Sequence, residues 1–385
     1  MRQRLPVRTS IFLAVISSIM LIEISVHNQL NSSSLMRRPS TASEYTNSNV
    51  TAPAKTFSAC IMFKDDTHLL TEWIAYHYHV LPLRRLIIGV DGGPESFPLE
   101  LVNRYAGRIQ ITLWSKDMFA PDWVVDIDDR RRGFDDAQKH IRRQMILLRQ
   151  CALRLKDENR TWTAFLDPDE YLSFNHQMYI PTPSPINISE KKRQNDLSFP
   201  SVREEGVMYK FLQTNKMLRK ITGNKPCVTI PRLLFGSYVS PETSAPVSTD
   251  TATPILRTMR YRSHTNRTNF KANRLAKTVL QLQYLSIHQL SRLRNMHSPI
   301  PGVCQHPQLI QGDNSFLIIN HYLGSQTSFS HRKDARNQFG RLKLYERFQN
   351  VQDGTDDTIT VWYEGFESLN GRDVALKLLE GASVL

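Results

Sequence analysis

Past residue 56 the chain alternates short apolar runs with longer stretches of helical spacing. Ser58–Phe63 is an apolar run of strand length. Leu70, Trp73, Ile74, His77 and Leu81 recur at helical intervals, which predicts a helix over Leu69–Leu81 with one buried side. Arg85–Val90 reads as a second strand, stopped by the turn residues Asp91, Gly92, Gly93 and Pro94. A short helix over Leu99–Tyr105 and a third strand over Ile109–Leu113 follow. Ile141, Met145, Leu148, Ala152 and Leu155 keep one register through a long helix over Gly133–Lys156, and Trp162–Leu166 is a fourth strand. Cys227–Ile230 and Ser315–Asn320 read as later strands, and no internal repeat is visible. This alternation predicts an α/β fold with a mixed, mainly parallel sheet covered by helices on both faces. Ligands of such sheets bind beyond the carboxyl ends of the strands. Asp91 waits after the second strand, and Asp167, Asp169 and Glu170 after the fourth.

The first residues have a different texture. Ile11–Ile22 is an apolar run interrupted only by Ser17 and Ser18, and with its flanks Thr9–Val26 is near the lower limit for spanning a bilayer, with Arg2, Arg4 and Arg8 before it. The positive-inside rule predicts a cytoplasmic tail over residues 1–8 and a signal-anchor over 9–26, with the rest of the chain across the membrane. A cleaved signal peptide and a buried helix are the rival readings. Residues 27–56 are rich in Ser, Thr and Asn and read as a flexible stem. Acceptor sequons at Asn31, Asn49, Asn159, Asn187 and Asn266 agree with a secretory address. The short apolar stretch suits an early secretory membrane such as the Golgi.

Composition narrows the classes. The 385 residues are 40% hydrophobic and 22% charged, which excludes a wholly disordered chain and a multi-span membrane protein. A net charge of +13 favours anionic partners, among them nucleic acid, membrane surfaces and phosphorylated small molecules. Nucleic acid fits the charge but not a lumenal address. Arg260, Arg262, Arg267, Lys271, Arg274 and Lys277 form a basic stretch that either faces donor phosphates or an acidic acceptor, or is a solvated face. The 4 cysteines, Cys60, Cys151, Cys227 and Cys304, allow every pairing in an oxidising lumen or remain buried thiols, and no C-x-x-C spacing suggests zinc. Residues 181–200 and 241–254 read as surface insertions.

The sharpest chemical feature is Asp167-Pro168-Asp169. Residues two apart in an extended segment point to one side, and Pro168 favours an extended Asp167. The two carboxylates could then converge on magnesium or manganese, which prefer oxygen ligands and leave positions open for phosphate oxygens. Asp126 and Asp128 repeat the spacing but adjoin Asp129 and Arg130–Arg132, as a solvated loop would. The bland reading of Asp167 and Asp169 is a cap or a surface ion pair.

The segments Ile61–Asp66 with Glu72, Trp73 and His77, Trp162–Tyr171, Pro231–Gly236, Asn320–Ser325 and Arg332–Arg336 occur in order along the chain. Together they resemble glycosyltransferase family 92, formerly DUF23. The resemblance implies a GT-A fold over residues 57–349, with 350–385 as a C-terminal extension. It implies transfer with inversion from a nucleotide-sugar donor, UDP-galactose at family level, to a glycan, lipid or protein-linked hydroxyl, with manganese or magnesium. By that likeness Asp167 and Asp169 bind the metal, His321 completes its ligands, and Asp91 contacts the nucleoside. Glu170 and Asp334 are expected as candidate general bases, with Glu204 and Glu205 behind them. The rival functions are a non-catalytic lumenal carbohydrate- or nucleotide-binding protein on the same scaffold, and a phosphohydrolase with Asp167 as nucleophile. The sequence sets neither the acceptor nor the oligomeric state.

Overall fold

The structure is a computed structural model that describes residues 44–47, 56–64, 67–92, 96–121, 136–176, 200–214, 225–237, 254–266, 270–297, 300–304, 315–331 and 341–382. The expected signal-anchor, most of the stem and the body of both Pro-rich insertions lie outside these residues. Among the described residues no helix is long and apolar enough to cross a membrane.

The first sheet has 7 strands: β1 (Glu44–Thr46), β2 (Phe57–Phe63), β3 (Leu83–Val90), β4 (Gln110–Ser115), β5 (Trp162–Phe165), β7 (Cys227–Ile230) and β10 (Lys277–Gln281). Their spatial order is β1-β4-β3-β2-β5-β10-β7. β4, β3, β2 and β5 are parallel, whereas β1, β10 and β7 are joined by antiparallel pairings. The second sheet has 5 strands in the order β12-β9-β8-β11-β6, made of β6 (Glu170–Phe174), β8 (Arg232–Gly236), β9 (Ser263–His264), β11 (Leu317–Tyr322) and β12 (Gly354–Thr355). Only β8 and β11 run parallel in it. The expected mainly parallel sheet is thus confined to four adjacent strands. The later strands return as antiparallel partners and build a second sheet that the helix–strand alternation did not announce.

Every residue of β2 is buried, as a central parallel strand covered on both faces requires. Ala59 and Ile61 face one apolar cluster with Leu70, Trp73 and Ile74 of α1 (Thr67–Val80). Cys60 and Met62 face the other, with Leu147 and Leu148 of the long helix Asp136–Asp157. That helix packs so closely that a Cβ on Gly89 of β3 would sit 2.5 Å from Leu147. The disulfides Cys60–Cys151 and Cys227–Cys304 lie in this second cluster, and no described cysteine is free. They close loops of 91 and 77 residues.

Sequence spacing gave α1 one buried side, but Leu69–Val80 are buried all round. The second cover comes from residues at the far end of the chain. Trp362 and Phe366 of the helix Trp362–Asn370, and Leu378 of the helix Arg372–Leu378, join the same core as β2 and α1. Trp362 Nε1 donates to Thr258 Oγ1 at 2.9 Å, and Tyr105 hydroxyl donates to Leu378 carbonyl at 3.2 Å. Residues 354–382 are therefore part of the packing that holds the first strands.

The strand order reverses at β2. β3 and β4 build to one side and β5 to the other, which makes a switch-point crevice beyond the ends of β2 and β5. Asp91 backbone N–H closes on Phe63 carbonyl at 2.8 Å, which fixes Asp91 at the end of β2, and the Asp167–Glu170 segment follows β5.

Candidate functional site at the switch-point crevice

The acidic segment is a turn and not an extended run. Glu170 N–H donates to Asp167 carbonyl at 3.1 Å, and Glu170 Oε2 accepts the Asp167 N–H at 2.9 Å. Pro168 takes the second position of a four-residue turn, where its fixed φ is favoured. The alternation argument therefore fails locally, and the two carboxylates take different partners. Asp167 Oδ2 accepts from Lys277 Nζ at 2.6 Å. Asp169 Oδ2 lies 3.4 Å from His321 Nε2.

β6 carries the turn into the second sheet. There Glu170 pairs with His321 across the β6–β11 ladder, and Tyr322 N–H donates to Asp169 carbonyl at 2.9 Å. That register is what brings His321 to Asp169 from 152 positions away in sequence ~. α1 fixes the turn from beneath. Trp73 Nε1 donates to Glu170 carbonyl at 2.9 Å, and Tyr76 hydroxyl to Leu172 carbonyl at 2.7 Å. Glu72 accepts from the Arg257 and Thr258 amides at 2.7 and 3.1 Å and from the Thr258 hydroxyl at 2.7 Å. His77 Nδ1 donates to Trp73 carbonyl at 2.8 Å, and burial pushes its pKa down to about 3, so it is a neutral core residue.

Lys277 was one of six basic residues with no distinguishing signal in the sequence. The structure sets it apart. β10 runs antiparallel to β5, so its first residue lies level with the end of β5 at the crevice. Lys277 Nζ is buried and bridges Asp167 Oδ2 and Glu170 Oε2, the second at 2.9 Å. Arg232 Nη1 bonds Glu170 Oε1 at 2.9 Å and also donates, through Nε, to Ala272 carbonyl at 3.0 Å. Glu170 is fully enclosed, while Arg260, Lys271 and Arg274 are exposed. Burial raises the Asp167 pKa, but Lys277 outweighs both that and the nearby Asp169 charge and holds the carboxyl below its usual value. Burial, then the charges of Lys277 and Arg232, push His297 down to about 3, so it adds no positive charge here.

Asp91 meets a different fate. Arg143 Nε bonds its Oδ1 at 2.7 Å and His140 Nδ1 lies 3.3 Å from Oδ2. Burial pushes this carboxyl up, but the hydrogen bonds and charges of His140 and Arg143 prevail and hold it low. Asp334 and Arg332–Arg336 lie outside the described residues, as do Asp126 and Asp128. Glu205 pairs with Arg84 at 3.0 Å, and Glu204 lies in the turn that leads into the helix Val207–Thr214, away from the acidic turn in sequence and in hydrogen bonding.

Among the described residues no group of three His, Cys, Asp or Glu side chains could hold a metal ion. The expected set of Asp167, Asp169 and His321 is reduced because Lys277 holds Asp167. The remaining pair still suits a divalent cation: a carboxylate oxygen and an imidazole nitrogen lie 3.4 Å apart on a buried Asp169 and a half-buried His321. Lys277 and Arg232 pair with Asp167 and Glu170 beside it. The residues fit a cation with two protein ligands and the rest of its shell from substrate or water.

An α/β sheet of mixed direction with acidic side chains at its switch point is consistent with the GT-A clan. Glycosyltransferase family 92 matches residues 55–234, and over that range the chain is a domain of this transferase family. The match takes in β2 to β8, the acidic turn and Arg232. His321 and Lys277 lie beyond it, so their place in the site rests on the geometry. No curated protein matches the chain.

Proposed function

We propose that the chain is a divalent-metal-dependent glycosyltransferase that moves a sugar from a nucleotide-sugar, with inversion, to a hydroxyl of a glycan or other acceptor. The observation that carries this reading is the Asp169–His321 pair, 3.4 Å apart at the acidic turn of a family 92 domain. Asp169 and His321 would hold manganese or magnesium, with Asp167 beside them. The cation, when bound, supplies positive charge against the departing diphosphate.

The chain's own residues do the rest. Lys277 and Arg232 fix the turn and hold the Asp167 and Glu170 carboxylates in place. Asp91 acts through Arg143 and His140, which it orients towards the nucleotide end of the crevice. In the reaction the acceptor oxygen bonds to the anomeric carbon, and the bond from that carbon to the phosphate oxygen breaks with its electron pair leaving on the diphosphate. The hydroxyl proton passes to a carboxylate. Glu170 is sealed between two cations, so Asp334 is the candidate to test for that role.

The two disulfides support an oxidising compartment, and the sequons at Asn159 and Asn266 are on exposed residues. Both agree with a single-pass Golgi protein whose catalytic part is lumenal. The reading is tested by nucleotide-sugar hydrolysis with and without manganese, together with manganese binding followed by electron paramagnetic resonance. Asp169→Asn should lose both signals; a variant that keeps manganese binding and turnover removes the proposal.

A further inference from the structure

A cavity of about 720 Å³ opens at the end of β8, away from the acidic turn. Its wall includes Ser237, Ser263, Tyr345, Gln349, Asn350 and Asp353, and among the described residues no Lys, Arg or aliphatic side chain lines it. The side-chain ends of Gln349 and Gln352 close over Gly236, where a Cβ would press on both. Tyr345 hydroxyl accepts from Gln349 Nε2 at 2.8 Å and donates to Gly324 carbonyl at 3.3 Å. Gln352 Nε2 donates to Phe348 carbonyl at 3.0 Å, but its Oε1 is buried with no hydrogen-bond partner.

This chemistry selects a class of ligand. A diphosphate needs cations, and the wall offers only the carboxylate of Asp353. A lipid chain or a nucleobase needs apolar walls. Amides, hydroxyls and one aromatic ring suit a neutral sugar, whose hydroxyls both donate and accept.

Position sets its relation to the crevice. Leu234 of β8 pairs with His321 of β11 in a parallel ladder, and Ser237 lies three residues further on. At a strand rise of about 3.3 Å per residue, the cavity begins roughly 10 Å beyond His321. Gly324, which Tyr345 holds, continues β11 in the same direction. An oligosaccharide bridges that gap, and a single sugar ring does not.

We propose that this cavity is a distal acceptor subsite, which binds a neutral sugar ring of an oligosaccharide whose reacting end lies at Asp169 and His321. The inference rests on the glycosyltransferase reading, so its test has a separate readout. The full chain is applied to a glycan array carrying neutral and acidic oligosaccharides and their monosaccharides. At least one neutral oligosaccharide should bind, at least tenfold more tightly than its own monosaccharides. Asn350→Trp, which fills the cavity from an exposed position, should weaken that binding tenfold or more, and Gln349→Ala should weaken it if the tryptophan variant does not fold. Asp169→Asn should retain the binding. Binding confined to acidic glycans, no neutral binding, or equal binding by a folded Asn350→Trp overturns the subsite. Absence of nucleotide-sugar hydrolysis by the wild-type chain counts against the transferase reading alone.

Discussion

Asp91 and Asp169 are the same residue type at comparable places, just past parallel strands that flank one crevice. Their surroundings differ. Asp91 is enclosed by Arg143 and His140 from the long helix behind the sheet. Asp169 lies 3.4 Å from the imidazole of His321 across a strand ladder, while Lys277 and Arg232 pair with Asp167 and Glu170. One carboxylate meets a guanidinium and the other an imidazole. The difference teaches that acidic residues at neighbouring strand ends are told apart by the partner the fold brings to each, and not by their place in the sequence.

The largest expected effect breaks the comparison on the open side. Asp169→Asn should lower nucleotide-sugar turnover on the order of 10³-fold or more, the range seen when charge stabilisation is removed from a transition state. Asp91→Asn should act mainly on stability and on donor KM; equal losses of kcat in the two variants would erase the distinction. Next comes the network that keeps Asp167 from resembling Asp169. Lys277→Met leaves Asp167 and Glu170 without their shared ammonium inside the protein, and chemical denaturation should register a loss of about 3–5 kcal/mol. An unchanged midpoint would mean that the bridge is not formed in solution.

The paired cysteines come next in size. Cys60→Ser with Cys151→Ser removes a cross-link over 91 residues and should cost about 2–5 kcal/mol, read as a lowered melting temperature under non-reducing conditions. Trp73→Phe should cost about 1 kcal/mol, because Glu170 carbonyl loses one hydrogen-bond donor while the ring remains.

The smallest effect is a pH signature of the closed carboxylate. The folded pKa of Asp91 is held below the ordinary value of 3.8. Its contribution to stability is therefore fully present above the unfolded pKa and is lost as pH falls through the lowered folded value. Denaturation midpoints taken downwards from pH 5 should fall more steeply for the wild type than for Asp91→Asn. Parallel curves would contradict the enclosure by Arg143 and His140.

Much of the first sheet was legible. The strands expected at Ser58–Phe63, Arg85–Val90 and Trp162–Leu166, and the helices at Leu69–Leu81 and Gly133–Lys156, lie within a few residues of those observed. Local apolar periodicity is enough for them, because each buries its own stripe. The acidic turn was legible as residue types but not as a shape. The i, i+2 argument assumed an extended backbone, whereas Glu170 folds back to bond the Asp167 amide and carbonyl. Lys277 was not distinguishable from Lys271 or Arg274, since nothing in its neighbours marks the first residue of an antiparallel return strand.

The sequence by itself determined the α/β alternation and the acidic residues after the fourth strand, because these depend on residue type and short-range spacing, and the candidacy of His321 came with the family resemblance. Only the tertiary structure decided which cysteines join, that the last helices complete the burial of α1, and that Lys277 takes Asp167 while His321 meets Asp169. Those outcomes depend on strand direction and ladder register, which are fixed by contacts between segments far apart in the chain and leave no local pattern to read.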